Sequence, residues 1–137
     1  MNVTQMNEKI GSVSLFYDDE TQQPFSLFMS VRNFPVNFPL LVSVYFVNII
    51  PEKKYFLEVN ISNDKKIINS FSKQSFVISE KDMILVHDNK GQSFIKTGIN
   101  FNVDFSATYN ITFTLKDENT NEKLDSYNFY SYIGEKQ

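Results

Sequence analysis

Apolar and polar residues alternate along most of this chain, with the period of two that is typical of β-strands. In the segment 99–105 the odd positions hold Ile, Phe, Val and Phe, and the even positions hold Asn and Asp. The segment 109–115 repeats this design with Tyr, Ile, Phe and Leu. Each pattern predicts a strand with one buried face and one solvent-facing face.

The remaining strands are predicted from shorter runs of the same kind and from the turn formers between them. Clusters of Pro, Asn, Asp and Gly divide the chain at intervals of roughly ten residues. Residues 64–73 fit either one helical turn or an irregular edge strand. The alternation also predicts strands at 25–31 and 55–61, and a terminal strand is expected within 124–133. Further candidates for strands are 12–17, 40–50, 75–79, 83–87 and 92–97.

About eight or nine short strands separated by turns predict a single all-β domain, an antiparallel β-sandwich of the Greek-key, immunoglobulin-like type. The connections are too short for the crossover that parallel neighbours require. We expect the domain to cover residues 11–133, with a flexible N-terminus at 1–10 and a C-terminal tail at 134–137. A chain of 137 residues is long enough to bury one substantial core.

The segment 106–111 resembles the tyrosine corner of immunoglobulin-like domains, in which a Tyr near the start of a strand returns its hydroxyl to the backbone upstream. Tyr109 holds that position here, and Ile111 holds the inward-facing core position two residues later. Phe105 stands where an acid is usual, and the chain has neither Cys nor Trp. The alternative is an ordinary Tyr at the start of a strand. Both interpretations give Tyr109 a structural role.

The layout as a whole resembles a group of uncharacterised bacterial β-sandwich proteins. The resemblance rests on the element FPVNFP at 34–39, on the strand 55–61 and on the strand-corner-strand region 105–115. It implies a fold and no activity. The chain is rich in Asn, Lys, Ile and Phe, and Arg32 is its only arginine against twelve lysines. This bias suggests a low-GC bacterium or one of its phages.

Two Phe-Pro pairs form the first candidate interaction site, at Phe34, Pro35, Phe38 and Pro39. Prolines stiffen the backbone, and aromatic side chains on a stiff loop make good contacts for a partner. The alternative is that both rings cap the open end of the sandwich. A second indication is the run 40–50, which is apolar on both faces and so predicts an outer face covered by a second copy in a homodimer.

Residue types for catalysis and metal binding are scarce. The chain has no Cys, which excludes disulfides, thiolate metal sites and cysteine nucleophiles. His87, the only histidine, is expected at the end of a strand. Asp117, Asn119 and Asn121 have the spacing of EF-hand ligands, but Glu122 stands where that loop requires Gly, so a hairpin turn is expected. We therefore predict no cofactor and no metal.

Charge and hydrophobicity also limit the partners. A net charge of −3 and a single arginine disfavour nucleic acid. The run 40–50 is about half the roughly 20 residues that a membrane-spanning helix needs, so we expect no membrane partner. The first eleven residues lack the basic and apolar segments of a secretory signal, so a cytoplasmic location is expected.

These observations predict a non-enzymatic interaction or structural module that binds a protein partner or itself. One alternative is a small-ligand or lipid-binding sandwich with a cavity in its Phe-rich interior. The other is a hydrolase that uses surface carboxylates, with Glu58, Asp104 and Asp125 as the candidates.

Overall fold

The computed structural model describes residues 7–26, 28–65, 67–68 and 70–136. Within these ranges the chain is all-β, as the alternation predicts, and its only helical element is a 3₁₀ turn at Glu80–Asp82. The strands are β1 Lys9–Tyr17, β2 Phe28–Val31, β3 Val36–Ile49, β4 Lys54–Asn63, β5 Ile67–Ile68, β6 Ser70–Val77, β7 Val86–His87, β8 Lys90–Val103, β9 Ala107–Asp117 and β10 Lys123–Glu135.

The strands form two sheets. The four-stranded sheet has the order β1-β3-β8-β7. The six-stranded sheet has the order β2-β10-β9-β4-β5, with β6 also paired to β4. In both sheets the long strands are neighbours, so most of their backbone groups are satisfied by antiparallel ladders.

The inner faces of both sheets contribute to one hydrophobic core. Every second residue of β3 from 40 to 46, and of β9 from 109 to 115, is at most 1% exposed. Rings from the two sheets meet across this core: Phe101 of β8 lies 5.3 Å from Tyr109 of β9, and Phe46 of β3 stacks on Phe76 of β6 at 5.1 Å. The period-two pattern thus defines the faces that bring the sheets together.

One pair of strands departs from the predicted antiparallel arrangement. Strand β2 runs parallel to β10, with Met29 opposite Ile133 and Val31 opposite Glu135. The expectation rested on strands that follow one another through short turns. It does not apply to β2 and β10, because nearly the whole domain separates them in sequence.

Two predicted elements also have different limits. The predicted strands 92–97 and 99–105 are one continuous strand, β8, because Gly98 stays in register opposite Leu41. The predicted loop at 34–39 is a loop only in its first part, since β3 begins at Val36.

The first and last strands extend past the predicted domain limits. Strand β1 begins at Lys9 and β10 ends at Glu135, outside the limits of 11 and 133.

The segment 64–73 contains β5 at 67–68 and the start of β6 at 70–73. None of its described residues forms a helical turn.

Candidate interaction surface

The element at 34–39 turns its rings toward the core. Phe34 and Phe38 are half-buried and pack against the core cluster, and the ring of Phe38 lies 5.7 Å from that of Phe25. Pro35 and Pro39 are exposed. The rings thus pack as they would if they capped the open end of the sandwich. Contact between this element and a partner stays a prediction.

Tyr109 and Ile111 both lie on β9 and point into the core, at 0% and 1% exposure. The Tyr109 hydroxyl donates a hydrogen bond of 2.7 Å to the carbonyl oxygen of Phe105, four residues upstream. Burial raises the pKa of Tyr109 above its ordinary value. This phenol therefore stays protonated and ties the start of β9 to the loop before it.

Replacing Tyr109 with phenylalanine should lower the free energy of unfolding by about 1 kcal/mol, because the hydroxyl's hydrogen bond is lost while the ring is kept. Urea denaturation measures the change. Tyr130→Phe is the matched control, since Tyr130 is 56% exposed and should lose almost nothing. Equal losses in the two variants would argue against a structural role for the Tyr109 hydroxyl.

Exposed apolar side chains gather around the short strand β7. Leu85 at 64% and Ile84 at 59% are the most exposed large hydrophobic residues in the described part of the chain. Val86 and Phe94 are 39% and 48% exposed. We refer to Ile84, Leu85, Val86 and Phe94 as the β7 patch.

Backbone hydrogen bonds to β8 hold the β7 patch in place. The amide of Ile84 donates to the carbonyl of Gln92 at 2.8 Å, and the amide of Gln92 donates to the carbonyl of Leu85 at 3.1 Å. Two successive residues thus oppose one, which is the arrangement of a β-bulge. A Cβ at Gly91 would lie 2.7 Å from the Leu85 carbonyl oxygen, so a glycine is needed where this loop crosses β8.

The patch continues onto the outer face of the four-stranded sheet. The side chain of Gln92 accepts a hydrogen bond of 2.7 Å from the Tyr45 hydroxyl, and Tyr45 lies opposite Phe94 in the β3–β8 ladder. Tyr45 is half-buried. Phe94 and the half-buried Tyr45 therefore share the outer face of this sheet.

The hairpin that ends the patch is polar. Asp88 and Asn89 both have positive φ, as a two-residue type I′ turn requires. His87 lies 3.3 Å from Asp88, and both side chains are almost fully exposed. His87 is therefore a surface residue at a strand end.

The apolar pattern alone did not reveal this patch. The run 83–87 was expected to be a strand, but only Val86 and His87 form a regular ladder with β8. Of the residues before them, Ile84 and Leu85 are exposed, and Met83 packs against the core. The four apolar residues Met83 to Val86 lie between a charged 3₁₀ turn and an Asp-Asn turn, and a run of that length does not distinguish an exposed loop from a short strand.

A buried ionic cluster joins three parts of the chain. The Nζ atom of Lys53 lies 2.6 Å from Oε2 of Glu8 and 3.4 Å from Oδ2 of Asp117. The Tyr55 hydroxyl donates to the same Glu8 oxygen at 3.1 Å and accepts from the amide of Ile50 at 2.9 Å. We refer to Glu8, Lys53, Tyr55 and Asp117 as the Lys53 cluster.

The charges of the Lys53 cluster stabilise one another. Burial opposes ionisation of Glu8, but the hydrogen bond and charge of Lys53 outweigh it and lower the pKa of Glu8. Burial also opposes the charge on Lys53, yet its two carboxylate partners raise the pKa of Lys53. Asp117 also has a lowered pKa. Burial acts against its charge, but the hydrogen bonds that it accepts from the turn amides, together with Lys53, outweigh the effect of burial. The cluster is thus an ion-pair network.

The carboxylates considered for a hydrolase have structural contacts. Glu58 lies 3.1 Å from the Nζ atom of Lys116. Asp125 accepts a hydrogen bond of 2.9 Å from the amide of Ile10. Asp104 is exposed just after β8. Two of the three candidates therefore hold strands together.

The Asp117 turn is held by its own carboxylate. Oδ1 of Asp117 accepts hydrogen bonds from the amides of Asn119 and Thr120 at 2.8 and 3.3 Å.

Across the described ranges, no group of three or more His, Cys, Asp or Glu side chains is arranged to hold a metal ion. Those same ranges contain no helix with the length and hydrophobicity to cross a membrane.

No protein-family model matches the chain, and no curated protein matches its sequence. Among solved structures, two crystal forms of a bacterial adhesin from Mobiluncus mulieris share its fold, with TM-scores of 0.59 and 0.58. That adhesin is described as containing intramolecular disulfide, isopeptide and ester bond cross-links. The sequences are 8% identical, and the match covers 93% of this chain but only 57% of the adhesin chain. The likeness shows a common fold.

Proposed function

We propose that this chain is a non-enzymatic interaction module, an immunoglobulin-like β-sandwich that binds a protein partner through the β7 patch. The exposure of Ile84 and Leu85 carries this proposal. Exposed apolar clusters rimmed by polar residues commonly mark protein contact sites, since leaving such side chains in water is unfavourable. The adhesin fold of the structural neighbours is consistent with an interaction or structural role.

A depression beside the β7 patch suits a partner's side chain. It has a volume of about 500 Å³ and is lined by Leu85, Asn48, Gln92 and the hairpin residues His87, Asp88 and Lys90. Apolar surface next to such a depression, with a polar rim, is the anatomy of a protein interface. The partner is expected to insert an apolar anchor residue here.

The tyrosine hydrogen bond supports the immunoglobulin-like assignment. The Tyr109 hydroxyl reaches a backbone carbonyl four residues upstream, as in a tyrosine corner. The structural contacts of Glu58, Asp125 and the Lys53 cluster support a role without catalysis. In this account polar residues stabilise the fold, and apolar residues on one surface make the contact.

Site-specific photo-crosslinking tests the contact surface. A photoreactive benzophenone amino acid at Leu85, in the full chain expressed in cells of its source organism, should give one discrete covalent adduct on irradiation. The matched control carries the same group at Glu20, an exposed residue at the opposite end of the molecule. The same adducts from both positions, or no adduct from Leu85, would contradict the proposal.

A further inference from the structure

One side of the molecule is sealed between the two sheets. The amide of Phe25 donates to the carbonyl of Leu15 at the edge of β1, and β2, which begins at Phe28, pairs with β10. The carboxylate of Asp125 on β10 also accepts from the amide of Ile10 on β1. This side therefore offers little free strand edge.

The opposite side has an open edge, formed by β8. Strand β7 pairs only with the first two residues of β8, and the bulged loop adds bonds to Gln92. Beyond Gln92, no backbone hydrogen bond joins β8 to any described strand other than β3. Because alternate residues of a strand direct their N–H and C=O groups to opposite sides, the stretch 93–103 has a row of such groups without a partner among the described strands.

A groove runs along this edge, between the two sheets. Its volume is about 280 Å³, and its walls include Val59 and Ile61 of β4 and Gly98 and Ile99 of β8. Val59 and Ile61 are nearly buried, at 4% and 3% exposure. A strand added to β8 would cover this groove, whose lining also includes the polar side chains of Ser72, Asn100 and Asn102.

The inward-facing residues of β8 have the exposure expected of a strand that lacks a neighbour on one side. Ile95, Thr97 and Ile99 have the inward register of the core but are only half-buried. Phe101 and Val103, on the same face nearer the end of the strand, are fully buried. Ile99 also lines the groove, and a strand added along β8 would bring further apolar atoms against the half-buried residues.

The β8 edge also lacks the usual protection against pairing. From Ser93 to Val103 its register with β3 is unbroken, with no bulge and no proline, and its single charge is Lys96. Proteins normally blunt free edges with bulges, prolines, several charges or very short strands. Strands β2 and β7 are protected by their short length, since they have only four and two residues.

We propose that two copies of this chain pair through their β8 edges, antiparallel, about a two-fold axis at Gly98. The inference rests on the proposed function in that the chain acts by binding, and it names a second copy as one partner. Such an interface is self-complementary, and the two four-stranded sheets become one continuous sheet.

Face matching and charge disfavour some of the alternative registers. The buried faces of both copies stay on one side of the joined sheet only if inward residues oppose inward residues. With Gly98 at the axis, Lys96 lies opposite Asn100, and Ile95 opposite Phe101. An axis at Lys96 would instead place the two ammonium groups opposite each other, which is unfavourable. Gly98 also adds no side chain at the point where the copies cross.

Charge substitutions at this interface test the proposal. Asn100→Lys places Lys96 opposite a second lysine at two symmetric positions, so the dimer dissociation constant should rise about tenfold or more. Adding Lys96→Glu to Asn100→Lys creates two opposite-charge pairs and should restore the dimer. Ser14→Lys is the matched control, since it adds the same charge to the same sheet face on strand β1.

Sedimentation velocity over a range of micromolar concentrations reads out the association, and thermal unfolding checks that each variant folds. The expected result is a dimer for the wild type, Ser14→Lys and the double variant, and a monomer for Asn100→Lys. A monomeric wild type, or a dimer that Asn100→Lys leaves unchanged, would overturn the proposal. A monomer whose Leu85 position still crosslinks to another protein would leave the proposed function standing.

Discussion

Replacing Phe101 with alanine should lower the free energy of unfolding by about 4 kcal/mol, the cost expected for deleting a fully buried phenylalanine. Phe101 is 0% exposed, and its ring lies 5.8 Å from Phe25, 6.2 Å from Phe38 and 5.3 Å from Tyr109. The substitution removes one large side chain from the contact between the sheets and leaves a cavity. Urea denaturation followed by circular dichroism measures the loss.

Phe94→Ala is the matched control for this prediction, because Phe94 lies on the same strand but faces outward and is 48% exposed. It should lose less than about 1 kcal/mol, since much of its surface is in water in the folded state as well. Both variants are measured at one protein concentration. Similar losses at the two positions would contradict the assignment of inner and outer faces on β8.

Lys53→Met should lower the free energy of unfolding by about 2 kcal/mol at neutral pH. The variant leaves the carboxylate of Glu8 buried, at 9% side-chain exposure, without its cationic partner. The value is set below that for a fully buried pair because Lys53 is 24% exposed and is partly screened by water. Lys54→Met is the matched control, since Lys54 is exposed and should lose little.

The pH dependence of this loss has a defined sign. In the wild type the folded pKa of Glu8 lies below its ordinary value of 4.5, so its stabilisation is present at neutral pH and disappears as pH falls through the folded pKa. In Lys53→Met the cation is absent, so the pKa of Glu8 rises above its wild-type folded value, although the Tyr55 hydroxyl still donates to it, and protonation in acid relieves the penalty. The stability gap between the two proteins should therefore narrow from pH 7 toward about pH 3.

Two results would contradict the ion-pair account. One is a gap that stays constant or widens as the pH falls. The other is an intact wild-type mass that is lighter than the sequence by one water molecule, together with a peptide map that places an amide bond between Lys53 and a carboxylate. The pKa of Lys53 is raised, so its amine stays protonated, and a protonated amine is not a nucleophile. We therefore expect the mass of the unmodified sequence.

Local patterning predicted the core strands well. Along β9 the alternation is regular and the strand lies between two long neighbours, so Tyr109, Ile111 and Phe113 are buried as the pattern indicates. At Gly98 the same approach divided one strand into two. A glycine interrupts the apolar pattern, but the β3 ladder continues across it.

Features that depend on distant residues were not predictable from one sequence. Glu8 and Lys53 are 45 residues apart, and each alone is indistinguishable from a solvated surface charge. The parallel pairing of β2 with β10 likewise depends on the path of the segment 23–31 around the β1 edge. The exposure of Ile84 and Leu85 depends on how little of β7 pairs with β8. Each of these features arises from the packing of elements that are remote in sequence.

Photo-crosslinking from Leu85 in cells tests the central claim, that the β7 patch is a protein contact, most directly. The account predicts a discrete adduct whose mass-spectrometric peptide map joins the Leu85 position to one defined segment of a partner, with no such adduct from Glu20. No adduct from Leu85, or adducts scattered over many unrelated proteins and equal at both positions, would contradict it.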